Sequence, residues 1–209
     1  MSRADAAAMP IPGRPMEGVP VYNVKLGMWV FLLSEVMFFT SLIGSYIILR
    51  MAHPEAYPEP GSVLNIPLTA FNTFVLICSS VTMVKAFAAA EVRDAAGIRK
   101  WLMATIGLGA FFLGVQAYEY YKLVGHGFVP SVEGYAAAGG PLYGSTFYTM
   151  TGFHGAHVFL GVVALCFTLF RAKRGAYDHG DYGGIEVMGL YWHFVDLVWI
   201  ILFTIVYLM

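Results

Sequence analysis

Nine polar residues stand in or beside long apolar stretches of this sequence: Glu35, Asn72, Gln116, Glu119, His154, His157, Glu186, His193 and Asp196. An ionisable group surrounded by hydrocarbon is expensive, so such residues mark either function or a partnered network. His193 and Asp196 are one helical turn apart and can satisfy one another. Glu186, Gly189, His193, Asp196 and Ile200 recur at three- and four-residue steps and share one helix face.

His154 and His157, three apart, resemble half a metal site. The zinc-protease pattern instead places two histidines four apart with a glutamate between them, and that pattern is absent. Thr151, His154, His157 with Val158, and Gly161 share a face, which directs the histidines toward other helices. Two uses remain open for these histidines. One is hydrogen bonding between helices, worth about 0.6 kcal/mol on average; the other is metal ligation. Asn72 and Gln116 read as interhelical hydrogen-bond formers. Glu35 needs either a partner or a proton, because hydrocarbon disfavours a bare carboxylate. It can serve as a proton-collecting group or as a steady hydrogen-bond donor.

The elements that position these residues follow from hydropathy. The chain has 209 residues, 58% of them hydrophobic and only 12% charged, against about 25% charged in soluble domains. A bilayer core of about 30 Å takes about 20 helical residues. Five stretches qualify: Leu26–Leu49, Ile66–Ala89, Lys100–Lys122, Tyr143–Phe170 and Val187–Leu208. The fourth exceeds the need and is expected to tilt or to emerge from the membrane. None alternates as a membrane β-strand would. The fold class is therefore all-α: an integral membrane bundle of five transmembrane helices.

Residues 1–25 form a polar tail with Pro10, Pro12, Pro15 and Pro20, and residues 26–209 form one helical domain. The tail lacks the apolar core of a signal peptide, and the span from Leu26 is too long to be one, so it is expected to be retained. No internal repeat is visible. Lys and Arg (12) nearly balance Asp and Glu (13), so no basic patch points to nucleic acid. Cys78 and Cys166 lie in apolar spans, without a CxxC motif, and read as packing residues.

Charge placement sets direction. With the N-terminus cytoplasmic, Arg3, Arg14, Lys25, Lys85, Arg93, Arg99, Lys100, Arg171, Lys173 and Arg174 fall inside. Only Arg50 and Lys122 fall outside, a strong positive-inside bias that leaves the C-terminus outside. Helical rise then gives two levels. Glu35 lies about 15 Å beyond Lys25, while His193 and Asp196 lie about 9 and 14 Å beyond Val187, all in the inner half. Asn72, Gln116 and His154 lie about 24 Å from the inner boundary, with Glu119 slightly farther and His157 one turn inward of His154. Ser41, Gly44 and Ser45, and Gly107, Gly109 and Gly114, are small enough to let helices approach closely. Tyr118, Tyr120 and Tyr121 suit an aromatic belt.

Five motifs fall in order on the five spans: LSEVMFF at Leu33–Phe39, FNTFVL at Phe71–Leu76, QAYEYY at Gln116–Tyr121, TGFHGAHVF at Thr151–Phe159 and YWHFVDLVW at Tyr191–Trp199. Together they resemble subunit III of the haem–copper cytochrome c oxidases, in its short, five-helix form. The resemblance implies a subunit that binds no haem or copper itself, those groups residing in partner subunits. It implies packing against subunit I, which reduces oxygen and pumps protons, in a complex with subunit II and other respiratory subunits. The implied role is to stabilise subunit I against turnover-linked inactivation and to support proton uptake.

Glu35 matches the family's buried, carbodiimide-reactive glutamate, and His154, His157, Glu186, His193 and Asp196 match its polar positions on the last two spans. The long form has seven helices and holds phospholipid between its first two and the rest. A lipid site of that kind here requires another subunit to supply the missing wall. Subunit III of quinol oxidases typically carries Asp at the position of Glu35, and the SEVMFF and TGFHG wording is closer to the cytochrome c branch. A third relative accompanies nitric oxide reductases. The resemblance places the protein in a bacterial cytoplasmic membrane.

Two readings of another class are an independent membrane metal or haem protein using His154, His157 and His193, and a small proton-coupled transporter. The first needs surrounding partners for its ligands, and the second repeated, broken helices; neither feature is visible. The inner-loop groups Glu91, Asp94, Asp178, His179, Asp181 and Glu186 are candidates for raising local proton supply, or are an ordinary solvated surface.

Overall fold

The computed structural model describes residues 21–59, 61–62, 64–125, 140–177 and 182–209. The tail through Pro20, most of the Gly/Ala-rich connection, and Asp178, His179 and Asp181 lie outside the described residues. Five helices follow one another: α1 Val21–Ala52, α2 Ile66–Glu91, α3 Ala95–Gly125, α4 Gly140–Lys173 and α5 Gly183–Phe203. The last runs on as a π-helical turn, Thr204–Leu208, and one 3-10 turn, Pro54–Ala56, follows α1. Among the described residues there is no strand. Each helix contains a stretch long and apolar enough to cross a bilayer. With no water in hydrocarbon to satisfy peptide groups, such a stretch must be helical.

Most helix ends lie a few residues beyond the expected spans, although α2 begins at Ile66 as expected. Asn65 caps α2, its side-chain oxygen accepting from the Leu68 amide at 3.2 Å. Asp94 caps α3, accepting from the amides of Ala96 and Gly97 at 3.1 and 3.0 Å. Between them the chain reverses within three residues, Val92 to Asp94, with Arg93 in the left-handed region at φ 58°. So short a turn makes α2 and α3 an antiparallel hairpin, the closest pair in the bundle.

α5 is the centre. It touches α1, α2 and α4, and 56% of its apolar stretch is buried, against 11% for α1. Two tryptophans of α5, seven residues apart and hence on one face, organise the interior. Trp192 is fully buried and donates its indole N–H to Ser79 Oγ of α2 at 2.9 Å. Its ring abuts Gly109 of α3 and Gly161 of α4: a Cβ at either would come within 2.7 or 2.9 Å of it. Trp199 donates to Thr73 Oγ1 of α2 at 2.9 Å and meets Phe112 of α3 edge-on at 4.9 Å. Both therefore join α5 to α2 and α3 at once.

The glycine expectation holds at one position and fails at others. Gly109 is a point of close approach, whereas a Cβ at Gly44, Gly107 or Gly114 would meet nothing within 4 Å. Ser41 and Ser45 are exposed, their hydroxyls turned back to Met37 O and Ser41 O. The close approaches that were missed lie on α4, at Gly155 and Gly161. Tyr118 and Tyr121 point outward as belt residues, while Tyr120 turns inward to Thr151 Oγ1 at 2.6 Å.

Candidate functional site

The polar residues resolve into ties between specific helices. Nearest the C-terminal end of α3, Glu119 is buried and accepts from Thr69 of α2 at 3.0 Å and from Tyr207, beyond α5, at 3.2 Å. Asn72 donates to the Phe112 carbonyl at 3.2 Å, joining α2 to α3. Gln116 donates to the Thr151 carbonyl of α4 at 2.9 Å. A Cβ at Gly155 would stand 2.7 Å from Gln116 Oε1, so the first glycine after His154 makes room for this amide.

His154 is fully buried and stacks on Trp199 at 4.8 Å, with the Phe112 ring edge-on at 6.0 Å. Neither ring nitrogen has a hydrogen-bond partner among the described residues. It acts as an aromatic plate between α3, α4 and α5, and aromatic pairs of this kind contribute about 0.5–1.5 kcal/mol.

His157, one turn away, faces a different helix. Its Nε2 lies 3.0 Å from Glu35 Oε2 of α1, and its Nδ1 lies 2.7 Å from the Phe153 carbonyl. A carbonyl only accepts, so Nδ1 carries a hydrogen. The contact between Nε2 and the carboxyl then holds one proton, whether it sits on nitrogen or on oxygen. Either way the pair has no net charge, which is the cheap arrangement in a low-dielectric surrounding. Depth counting assigned Glu35 and His157 to separate levels, but the structure joins them. The two side chains are 17% and 16% exposed, so the pair sits at the seam between α1 and α4, open to the bundle's outer surface.

His193 and Asp196 do share a site, but through a residue not foreseen. Ser80 of α2 lies 2.9 Å from His193 Nδ1 and donates to Asp196 Oδ2. The hydroxyl can serve both because it donates once and accepts twice. Glu186, placed by periodicity on the same face, pairs instead with Lys25 of α1. The face divides because α5 is wedged between α1 and α2, so residues along one stripe meet different neighbours.

α1 is thus tied at three depths: Lys25 to Glu186, Glu35 to His157, and Arg50 to the Met209 carbonyl. Arg50 also donates to Tyr46 at 3.0 Å. Of the loop carboxylates named above, Asp94 is engaged as a helix cap, Glu186 is paired, and Glu91 is exposed. Asp178, His179 and Asp181 lie outside the described residues.

The structure does not bring His154, His157 and His193 together: they face Trp199, Glu35 and Ser80 respectively. Among the described residues no three of His, Cys, Asp and Glu converge as a metal-binding group. Sequence reasoning missed Lys25, Thr69, Thr73, Ser79, Ser80 and Tyr207 as partners. A signal was present in α2, where Thr69, Asn72, Thr73, Ser79 and Ser80 recur along one face of an otherwise apolar helix.

The family model described as cytochrome c oxidase subunit III matches residues 17–209. A protein of Thermostichus vulcanus named cytochrome c oxidase subunit 3 is 39% identical over 185 residues, covering 88% of this chain and 86% of the relative. Proteins of Nocardia farcinica and Mycobacterium tuberculosis, each named probable cytochrome c oxidase subunit 3, are 40% identical over 184 and 185 residues. Both matches cover 88% of this chain and 87% of the relative. The five motifs, the five apolar helices and these matches over nearly the whole length agree: the chain belongs to the cytochrome c oxidase subunit III family.

Proposed function

We propose that this chain is the non-catalytic accessory subunit of a cytochrome c-linked haem–copper oxidase in a bacterial cytoplasmic membrane. It sits directly against subunit I, with subunit II and other respiratory subunits nearby, stabilises subunit I during turnover and supports proton uptake. Ten cations at one end against two at the other favour a cytoplasmic N-terminus. Haem and copper belong to the partners. Cytochrome c as donor is favoured by the names of the relatives.

The observation that carries the reading is the pattern of partnering. Most of the candidate polar side chains are engaged in bonds that fasten helices of this chain to one another. Two pairs are open to the outer surface, Lys25 with Glu186 at the start of α1 and Glu35 with His157 farther along it; the second lies within the apolar stretch, where a neighbouring subunit or lipid meets it. A one-proton pair at that seam can hold α1 in place without net charge, as long as the shared proton stays between His157 and Glu35.

The test uses the purified complex. Glu35→Gln keeps a hydrogen-bonding amide at the seam and removes the exchangeable proton. The variant is expected to begin at the parental rate of oxygen consumption and to lose activity sooner during sustained turnover. Inactivation kinetics and proton pumping identical to the parent would remove the proposed role of the pair.

A further inference from the structure

At the α2–α3 end of the bundle, two lysines from adjacent helices converge on one indole. Lys85 lies in the last two turns of α2, and Lys100 in the second turn of α3. Their ammonium nitrogens stand 4.5 and 5.2 Å from the centroid of the half-buried Trp101 ring. Two like charges within about 10 Å of each other repel and call for an anion between or beside them.

Among the described residues neither ammonium is in an ion pair or donates a hydrogen bond. Of the described carboxylates at this end, Asp94 caps α3 and Glu186 pairs with Lys25. Glu91 is exposed and in no ion pair. Arg93 and Arg99 add to the positive field at the same end.

The surface beside the lysines is apolar. Val81 and Val84, deeper along α2, are 54% and 53% exposed, and Met103, one turn deeper than Lys100 on α3, is 49% exposed. A free phosphate ion has no use for such a surface, but a lipid's acyl chains do. The indole also suits the boundary between headgroups and hydrocarbon, and it holds an ammonium over its face.

We propose that Lys85, Trp101 and Lys100 form a headgroup site for one anionic phospholipid. Its phosphate bridges the two ammonium groups, and its chains lie along Val81, Val84 and Met103. The site uses none of the residues assigned above.

Native mass spectrometry of the intact complex, mildly delipidated and titrated with phosphatidylglycerol, tests it. The double variant Lys85→Gln/Lys100→Gln is expected to lose one tightly held lipid, its affinity falling about thirtyfold, or about fivefold for each single change. Lys85→Arg/Lys100→Arg should keep the lipid, as should Lys173→Gln, which removes a cation at the end of α4. Inorganic phosphate should not displace it. Unchanged lipid retention in the Gln variants overturns the proposal. So does equal loss in Lys173→Gln, which would mean only a diffuse field, or displacement by inorganic phosphate, which would mean an anion site. Loss of a neighbouring subunit with lipid retention intact also overturns it, since the cluster would then hold protein. If the double variant does not assemble, the single variants decide by the same criteria.

Discussion

Gly107 and Gly109 lie two residues apart on α3, yet alanine is predicted to act on them with opposite sign. At Gly109 the new methyl would stand 2.7 and 2.9 Å from two carbons of the Trp192 ring and 3.0 Å from Val162 Cγ2. Carbon atoms pack best at about 3.5–4.0 Å, so the indole would have to retreat. Gly161 blocks it on α4, and its N–H is held by Ser79 at 2.9 Å on α2. Overpacking of this kind costs about 1–3 kcal/mol, and loss of the indole hydrogen bond costs about 1 kcal/mol more. Replacing glycine by alanine inside a helix returns about 1 kcal/mol. The net for Gly109→Ala is a loss of about 2 kcal/mol. At Gly107 nothing lies within 4 Å, so only the propensity gain of about 1 kcal/mol remains. Unfolding of the detergent-solubilised protein by dodecyl sulfate, followed by tryptophan fluorescence, measures both. Equal shifts in the same direction for the two variants would refute the placement of Trp192 between α3 and α4.

Three further outcomes follow from the same geometry. In a double-mutant cycle of Glu35→Gln and His157→Phe, the coupling read by the same titration should reach about 0.6–1.7 kcal/mol; additive effects would mean that the two do not meet. Trp199→Phe removes the bond to Thr73 and part of the stack on His154, so it should destabilise by about 2 kcal/mol. Combined with Thr73→Val it should cost less than the sum, as measured by the same unfolding curve. Arg93→Gly should stabilise by about 1 kcal/mol, because glycine occupies the left-handed region without a side-chain penalty, and an unchanged midpoint would contradict the turn geometry.

The helices were legible because hydrocarbon leaves the backbone no alternative, so hydropathy alone locates them. Most of their ends were not: Asp94 starts α3 at Ala95 by capping it, ahead of the expected Lys100, whereas α2 does begin at Ile66 as expected. The list of polar residues was legible for a similar reason: each is costly where it stands. Their partners were not. Periodicity fixes which residues share a face of one helix, but not how that helix is rotated against the next. So Glu35 and His157 appeared on separate levels, and His193 and Asp196 appeared to satisfy each other without Ser80. The same gap hid which glycines are crowded. Gly109 and Gly107 have the same side chain, and only the position of Trp192 distinguishes them. The identifying motifs therefore carry packing as much as chemistry: in YWHFVDLVW the two tryptophans join three helices, while His193 and Asp196 reach Ser80 from the flank.

An accessory subunit supports catalysis carried out elsewhere. The most direct measurement compares oxygen consumption by the purified complex with and without this subunit, from the first seconds through sustained turnover. The depleted complex is expected to keep its haems and begin at a comparable rate, then fail after fewer turnovers. Complete loss of the initial rate with the haems still in place would show that the subunit takes part in the reaction itself and would contradict an accessory role.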